Sequence, residues 1–268
     1  MTVSVRWLTV FLDTPSTQSP ASEAFWQQIT GTTASARRGE REEFATLLPS
    51  DGDAFIRIQR VDDGLPSCHL DIHVDDVQSS LADALSLGAT LVRDFVDCVV
   101  LASPHGFPFC LVPYHGEQTR PAPVVWPGGQ HSLVDQLCLD IPADFFVAET
   151  AFWAALTGWE QRHGTVPEFD HLARPSGMPL RLLLQKLDDA ASGQPVRGHI
   201  DFACDDIETE VQRHTALGAA NARSSRRCSQ ATAMRSYEYN EWTTTTCRAA
   251  TSTYTSTTCS FPWQTRFR

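Results

Sequence analysis

From Gly218 to Arg268 the chain has no leucine, isoleucine or valine, and Glu238 and Glu241 are the only acids there. Thr, Ser and Arg fill the stretch instead, as in Trp242 to Cys247. Such a composition cannot build an aliphatic core and predicts disorder. Other absences are as useful. No apolar run is long enough to span a bilayer, so no membrane partner is expected. The first residues lack the charged start, apolar stretch and small-residue cleavage pattern of a signal peptide. The eight cysteines form neither a CxxC pair nor a compact disulfide framework. Cys98, Cys110, Cys138 and Cys204 sit in apolar, strand-like runs, which predicts reduced core cysteines in a cytoplasmic protein. A net charge of −11 argues against nucleic acid as a partner, because phosphate contacts need clustered Lys and Arg. Nucleophile elbows, phosphate loops and dinucleotide fingerprints are missing too.

What is present is said twice. Phe25-Trp26 and Gly31 recur as Phe152-Trp153 and Gly158. Asp13 and Pro15 recur as Asp140 and Pro142, all 127 positions on. Further along, His69-Leu-Asp71 recurs as His199-Ile-Asp201, Asp75-Asp76 as Asp205-Asp206, and Leu87-Gly88 as Leu217-Gly218, now 130 positions on. A drift of three residues is what a loop insertion produces. The repeat is too long for a solenoid unit and predicts two tandem copies of one domain, each large enough to bury a core.

Each copy has its own inner repetition. Residues 7–13 read as a strand and 20–29 as a helix, with Ser19 as its N-cap, Pro20 at its first position and Gly31 as its stop. Residues 44–48 and 54–60 read as strands around Pro49-Ser-Asp-Gly52, with a short strand near 32–36. The pattern restarts: a strand at 69–74, a helix at 77–87 capped by Asp75 or Asp76, and strands at 90–93, 98–102 and 107–112. The fold class is therefore α+β, with two βαβββ units per module. Residues 1–116 form the first module, 117–131 a Pro/Gly linker, and 132–218 a second module whose closing strands have no counterpart. In 219–268 the repeat stops in mid-unit, which favours a reading-frame change near Ala220 over a natural interaction tail. The first module is expected to fold alone.

Paired βαβββ units, with His69-Leu-Asp-Ile-His-Val-Asp-Asp76, the helix ending Leu87-Gly-Ala89, and Ser103-Pro-His-Gly-Phe-Pro-Phe-Cys-Leu-Val112, resemble the vicinal oxygen chelate superfamily. That superfamily holds glyoxalase I, extradiol dioxygenases, and fosfomycin- and bleomycin-resistance proteins; the glyoxalase-like domain proteins are most similar. The resemblance implies a cupped sheet with a small-molecule ligand inside. It also implies metal ligands on the first and last strands of the units. At the positions so inherited stand Trp7, Val134 and Ile56, and Cys110 replaces the usual Glu. His69 and Cys110 could bind a soft ion such as zinc. The ligand count nevertheless predicts no metal and no other cofactor.

Alternation along 69–74 puts His69, Asp71 and His73 on one face and Leu70, Ile72 and Val74 on the other. The apolar face suits a helix; the polar face must line water or a cavity. His199 and Asp201 repeat this. Glu43 and Gln59 recur as Glu168 and Gln185. The candidate acid–base pair is His69 and Glu43. The candidate binding residues are Asp71, His73, Gln59, Cys110, His199, Asp201, Glu168 and Gln185. Three functions fit: a lyase or isomerase acting on a small oxygenated compound, a non-catalytic binder that sequesters an antibiotic-like ligand, or an inactive product of a damaged gene. The oligomeric state is not legible.

Overall fold

The computed structural model of the chain describes residues 3–62, 64–188, 191–219 and 245–247. The first module runs β1 (Val5–Pro15), α1 (Ser19–Thr30), β2 (Thr33–Ala34), β3 (Phe44–Leu48) and β4 (Ile56–Val61). Its second unit is β5 (Ser67–Val74), α2 (Val77–Ser86), β6 (Thr90–Phe95), β7 (Cys98–Ala102) and β8 (Pro108–Pro113). These make one eight-stranded sheet in the order β2-β3-β4-β1-β5-β8-β7-β6. The two units meet where β1 pairs antiparallel with β5, while each unit closes on itself through a parallel pair, β1 with β4 and β5 with β8.

The linker region carries β9 (Val124–Val125), which pairs with the start of β10 (His131–Ile141). It is tied down: the Asp53 carboxylate accepts the backbone N–H groups of Gln118 and Thr119 at 2.7 and 2.8 Å. The second module continues with α3 (Phe146–Thr157), β11 (Gln161–His163), β12 (Phe169–Leu172), β13 (Arg181–Lys186), β14 (Arg197–Cys204), α4 (Ile207–Ala216) and β15 (Thr245–Cys247). Its sheet order, β11-β12-β13-β10-β14, matches the first module strand for strand, and β15 adds antiparallel to β14. The position beside β14 is held in the first module by parallel β8. The expectations for the rest of the 219–268 tail fall on 220–244 and 248–268, outside the described residues.

Local chemistry explains the helix limits. Asp76 accepts the Ser79 N–H at 2.9 Å and Asp206 accepts the Thr209 N–H at 3.0 Å, the same N-cap in both copies. Gly31 and Gly158 stop α1 and α3 at φ of 65° and 70°, a left-handed turn that glycine adopts at least cost. Ser19 is not the cap of α1. Gln18 takes that place without a side-chain bond, and the Ser19 hydroxyl instead meets Glu23 and accepts from Arg60 Nε at 2.8 Å.

The apolar faces of both sheets feed one core rather than two. Leu8, Val10, Leu70, Ile72, Phe109 and Leu111 of the first module are continuous with Leu137, Leu139, Phe152, Trp153 and Leu184 of the second. Helix α3 buries Phe152, Trp153 and Leu156 in this core. Its Trp153 ring meets Phe107 and Phe109 edge-on, with centroids 6.0 and 5.3 Å apart. Backbone bonds cross the seam from Val3 to Leu156 and from Val196 to His105. Arg213 of α4 donates to the last carbonyls of α1, those of Gln28 and Ile29. Gly198 lets β14 reach the first module. A Cβ there would sit 2.7 Å from Phe107 and 3.0 Å from the Cys68 sulfur. The expectation that the first module folds alone therefore meets a core in which Phe107 and Phe109 are completed by the second module.

Candidate functional site

Strand register assembles the site on the polar face of the first sheet. Phe11 pairs with Arg57 on one side and His69 on the other; Asp71 pairs with Thr9 and with Cys110. The His69 Nδ1 lies 2.9 Å from Asp13 Oδ2, and its Nε2 lies 3.8 Å from Asp71 Oδ1. Phe11 stacks on the His69 ring, 4.5 Å between centroids and 9° from parallel. Phe44 meets Phe11 edge-on. The carboxylate fixes the Nδ1–H tautomer, so the Nε2 lone pair is turned towards Asp71.

The second module repeats the arrangement. His199 Nδ1 lies 3.0 Å from Asp140 Oδ2, and its Nε2 lies 3.4 Å from Asp201 Oδ1 and makes no hydrogen bond. Gln136 donates to Asp201 Oδ2 at 2.9 Å. Cys138 is the register partner of His199.

Two groups of metal-ligating atoms result: His69, Asp71 and Cys110, and Cys138, His199 and Asp201. In each, the ligand atoms lie within 4.8 Å of one another. One imidazole nitrogen, one carboxylate and one thiol form a donor set suited to zinc or a similar borderline ion, and Asp13 and Asp140 already hold the other nitrogen of each ring. The residues fit a metal. The prediction of no metal and no cofactor is overturned by these clusters, and by a manganese-bound neighbour described below. The ligand count failed for a structural reason. It stopped at His69 and Cys110, with Trp7, Val134 and Ile56 at the inherited positions, and left out Asp71, which shares the strand with His69 and meets Cys110 across the parallel β5–β8 pair.

Ionisation follows from burial and charge. Burial opposes protonation of His69, but the charge and hydrogen bond of Asp13, with Asp71, outweigh it and the pKa is raised. For His199 burial again opposes, and Asp140, Cys138 and Asp201 together raise it well above the ordinary value. Burial pushes Asp71 up, with His69 and Arg57 pulling the other way. Burial lifts Cys138 to about 11, against the pull of His199. A hydrogen bond with Cys98, then burial, raises Cys110.

The other sequence candidates are placed as follows. His73 is buried, 2.9 Å from Thr9 Oγ1 and 3.5 Å from Glu117 Oε1. Burial depresses its pKa to about 4, Glu117 opposing, which leaves it neutral at pH 7. Gln59 shares the polar face, register partner of both Asp13 and Phe44. Gln185 matches it beside Asp140, with Cys138 Sγ 3.9 Å from its Oε1. Glu43 is not brought to His69: its carboxylate accepts the Arg41 N–H at 2.9 Å in the turn before β3. Glu168 is exposed at the edge of β12. Sequence reasoning missed Asp13, Asp140, Phe11, Arg57 and Cys138 as site residues. The recurrence of Asp13 as Asp140 was a signal that could have found the first two. A recess at the seam, lined by Ile29, Leu47, Phe55, Val134 and Phe202, has Asp51 as its one charged lining residue and lies apart from both clusters.

The glyoxalase-like domain profile matches residues 9–112 and 136–244. The chain belongs to the glyoxalase-like domain family. Its second match runs past Gly218, where the internal repeat ceases to be readable. Among solved structures, the Mn(II)-bound glyoxalase from Novosphingobium aromaticivorans is similar with a TM-score of 0.58 and 14% identity, over 82% of this chain and 73% of that one. A 4-hydroxymandelate synthase mutant from Streptomyces coelicolor matches with a TM-score of 0.56 and 16% identity, over 84% and 78%. A fusion protein of a xylose isomerase-like TIM barrel and 4-hydroxyphenylpyruvate dioxygenase matches with a TM-score of 0.58 and 18% identity; 90% of this chain covers 43% of that one. At these identities the likeness is one of fold, that of the vicinal oxygen chelate superfamily. No curated protein matches the chain. Among the described residues no helix is long and apolar enough to cross a membrane.

Proposed function

We propose that the chain is a metal-assisted enzyme for a small oxygenated compound, working on the polar face of the first sheet by proton transfer of the lyase or isomerase kind. The observation that carries this reading is the convergence of His69, Asp71 and Cys110 beside the buried Phe11 and the half-buried Phe44. His69, Asp71 and Cys110 would hold the ion, and Cys138, His199 and Asp201 a second one. When bound, such an ion polarises a substrate oxygen.

The chain's own residues do the remaining work. Asp13 orients His69, and Phe11 locks the ring. Asp13 steadies the imidazolium, and burial favours the protonated carboxyl of Asp71. The His69 imidazole and the Asp71 carboxyl, 3.8 Å apart, can therefore each hold a proton that an ion would displace. Phe44, Phe11 and Gln59 would bound a flat substrate. The second cluster has no arginine in the place of Arg57: Leu183, the register partner of Cys138, stands there. We assign turnover to the first module.

The test is elemental analysis joined to a turnover screen on the loaded protein. Bound ion lost on His69→Asn, with turnover lost in parallel, supports the reading. Tight ligand binding without turnover in the loaded protein would favour the sequestering role instead.

A further inference from the structure

Arg57 lies on the polar face and makes no hydrogen bond among the described residues. Its Nε is buried with no partner, and its nearest acid, Asp71, is 3.7 Å away. The guanidinium sits over the Phe11 ring, 5.6 Å from its centroid, and Phe11 in turn stacks on His69. On the other side, Arg57 pairs in register with Thr46 of β3, and the Thr46 hydroxyl accepts from Arg38 Nη2 at 2.9 Å. Arg38 Nη1 donates to Ser35 Oγ at 3.2 Å. Both of these Arg38 partners are neutral hydroxyls. Two arginines are held close together, and burial followed by the charge of Arg57 depresses the pKa of Arg38. In a chain with 32 acidic and 21 basic side chains, other arginines meet a carboxylate more closely: Arg6 has Asp75, Arg41 has Asp62 and Arg162 has Glu160. Two arginines gathered beside Phe11 and Phe44, with five donors each and a single 3.7 Å ion pair, from Arg57 to Asp71 on the side away from Arg38, have donors left for an anion.

We propose that Arg57 and Arg38 form a carboxylate-binding subsite, so that the substrate of the first module is a small carboxylate with a flat apolar body. The inference rests on the reading of the His69 cluster as the working centre. Arg57 would grip the carboxylate through its fork, the flat body would lie against the half-buried Phe44, and the atom to be deprotonated or protonated would face His69. Arg57 is a binding residue here and takes no part in proton transfer. The second module lacks the subsite, since Leu183 replaces Arg57.

The test is titration of the full chain with benzoate, benzamide and inorganic phosphate, followed by calorimetry and by the imidazole NMR signals. Benzoate is expected to bind and to shift the His69 ring signals, and benzamide to bind at least about tenfold more weakly, the scale of a charge-assisted pair. Arg57→Gln and Arg38→Gln should each weaken benzoate about tenfold or more and leave benzamide unchanged. Arg57→Lys should recover part of the loss, since the charge returns without the fork. Benzoate binding that is absent, or equally strong in both Gln variants, overturns the subsite. Phosphate displacing benzoate at equal or lower concentration overturns the carboxylate assignment. Two further results separate this from the functional reading. Benzoate binding retained in His69→Asn, with metal lost, leaves the subsite standing by itself. A wild-type chain that takes up no ion yet binds benzoate through Arg57 sinks the metal-assisted reading alone.

Discussion

The two modules place the same Asp–His–Asp set, Asp13–His69–Asp71 and Asp140–His199–Asp201, and complete it with a cysteine from different strands. In the first, Cys110 comes from β8, at the far side of Asp71, and Phe11 occupies the place on β1 that faces the histidine. In the second, Cys138 itself holds that place on β10. A repeated fold has therefore kept the histidine, its orienting acid and its neighbouring acid while the third donor moved. The difference shows what an alternating strand fixes and what it leaves free. The His-x-Asp spacing sets two donors on one face whatever the neighbours. The third depends on which strand pairs alongside. The exchange also opens the first site: with Cys110 supplying sulfur, β1 is free to carry Phe11, on which Arg57 rests. In the second module Cys138 and Leu183 fill those positions.

The largest expected effect concerns whether the modules can be compared as separate bodies at all. Trp153→Ala removes a buried indole that also packs on Phe107 and Phe109, and should cost about 3–5 kcal/mol. Because the core is shared, chemical unfolding should stay a single transition, with tryptophan fluorescence and the far-ultraviolet signal moving together. Two separated transitions would show that the modules unfold independently. Next in size, Gly198→Ala forces a Cβ against Phe107 and Cys68. About 1–3 kcal/mol is expected, read as a lower denaturant midpoint; an unchanged midpoint would mean the seam yields easily.

Smaller effects sharpen the likeness between the modules. Asp13→Asn and Asp140→Asn each leave a histidine without its orienting carboxylate, and each should weaken metal uptake about 10–100-fold at its own cluster, measured by competition with a coloured chelator. If one variant did nothing, the two sets would not be equivalent. Raised histidine pKa values and the Cys138 thiol at about 11 mean that loading must displace protons. Affinity should therefore rise with pH, with proton release seen by calorimetry in two buffers.

The smallest effect is a difference in acid response. Burial opposes ionisation of Glu210, but hydrogen bonds from Arg213, His214 and Ser132 hold its pKa at about 2. A depressed carboxylate adds stability that is complete above its unfolded value, 4.5, and is lost as pH falls towards 2. Glu210→Gln should flatten the acid limb of the melting temperature in that window and leave its neutral-pH slope alone. The raised His199 acts with opposite sign. Its contribution is complete below 6.5, the ordinary value, and is lost as pH climbs through the elevated one.

Much of this was written in the chain. The repeated Phe-Trp and Gly marks located both first helices, and alternation along His69-Leu-Asp-Ile-His-Val put His69 and Asp71 on the polar face. What stayed hidden is what strand pairing supplies. Nothing local to Cys110 or Cys138 says that one will face Asp71 and the other His199, and Arg57 reads as one charge in a β-strand until Phe11 and Thr46 flank it. Ser19 had the right type for an N-cap but was drawn to Glu23 and Arg60. Glu43, chosen because Glu168 recurs, caps a turn. A repeat between copies marks what both kept, and here the informative pair was Asp13 and Asp140.

The central claim is that each module completes its own metal cluster with its own cysteine. Zinc content of the wild type and of Cys110→Ser, Cys138→Ser and the double variant, all checked for native far-ultraviolet signal, tests it most directly. About two ions per chain are expected in the wild type, about one in each single variant and none in the double. Metal content that ignores both cysteines, or that vanishes from both modules when either is replaced, would contradict it.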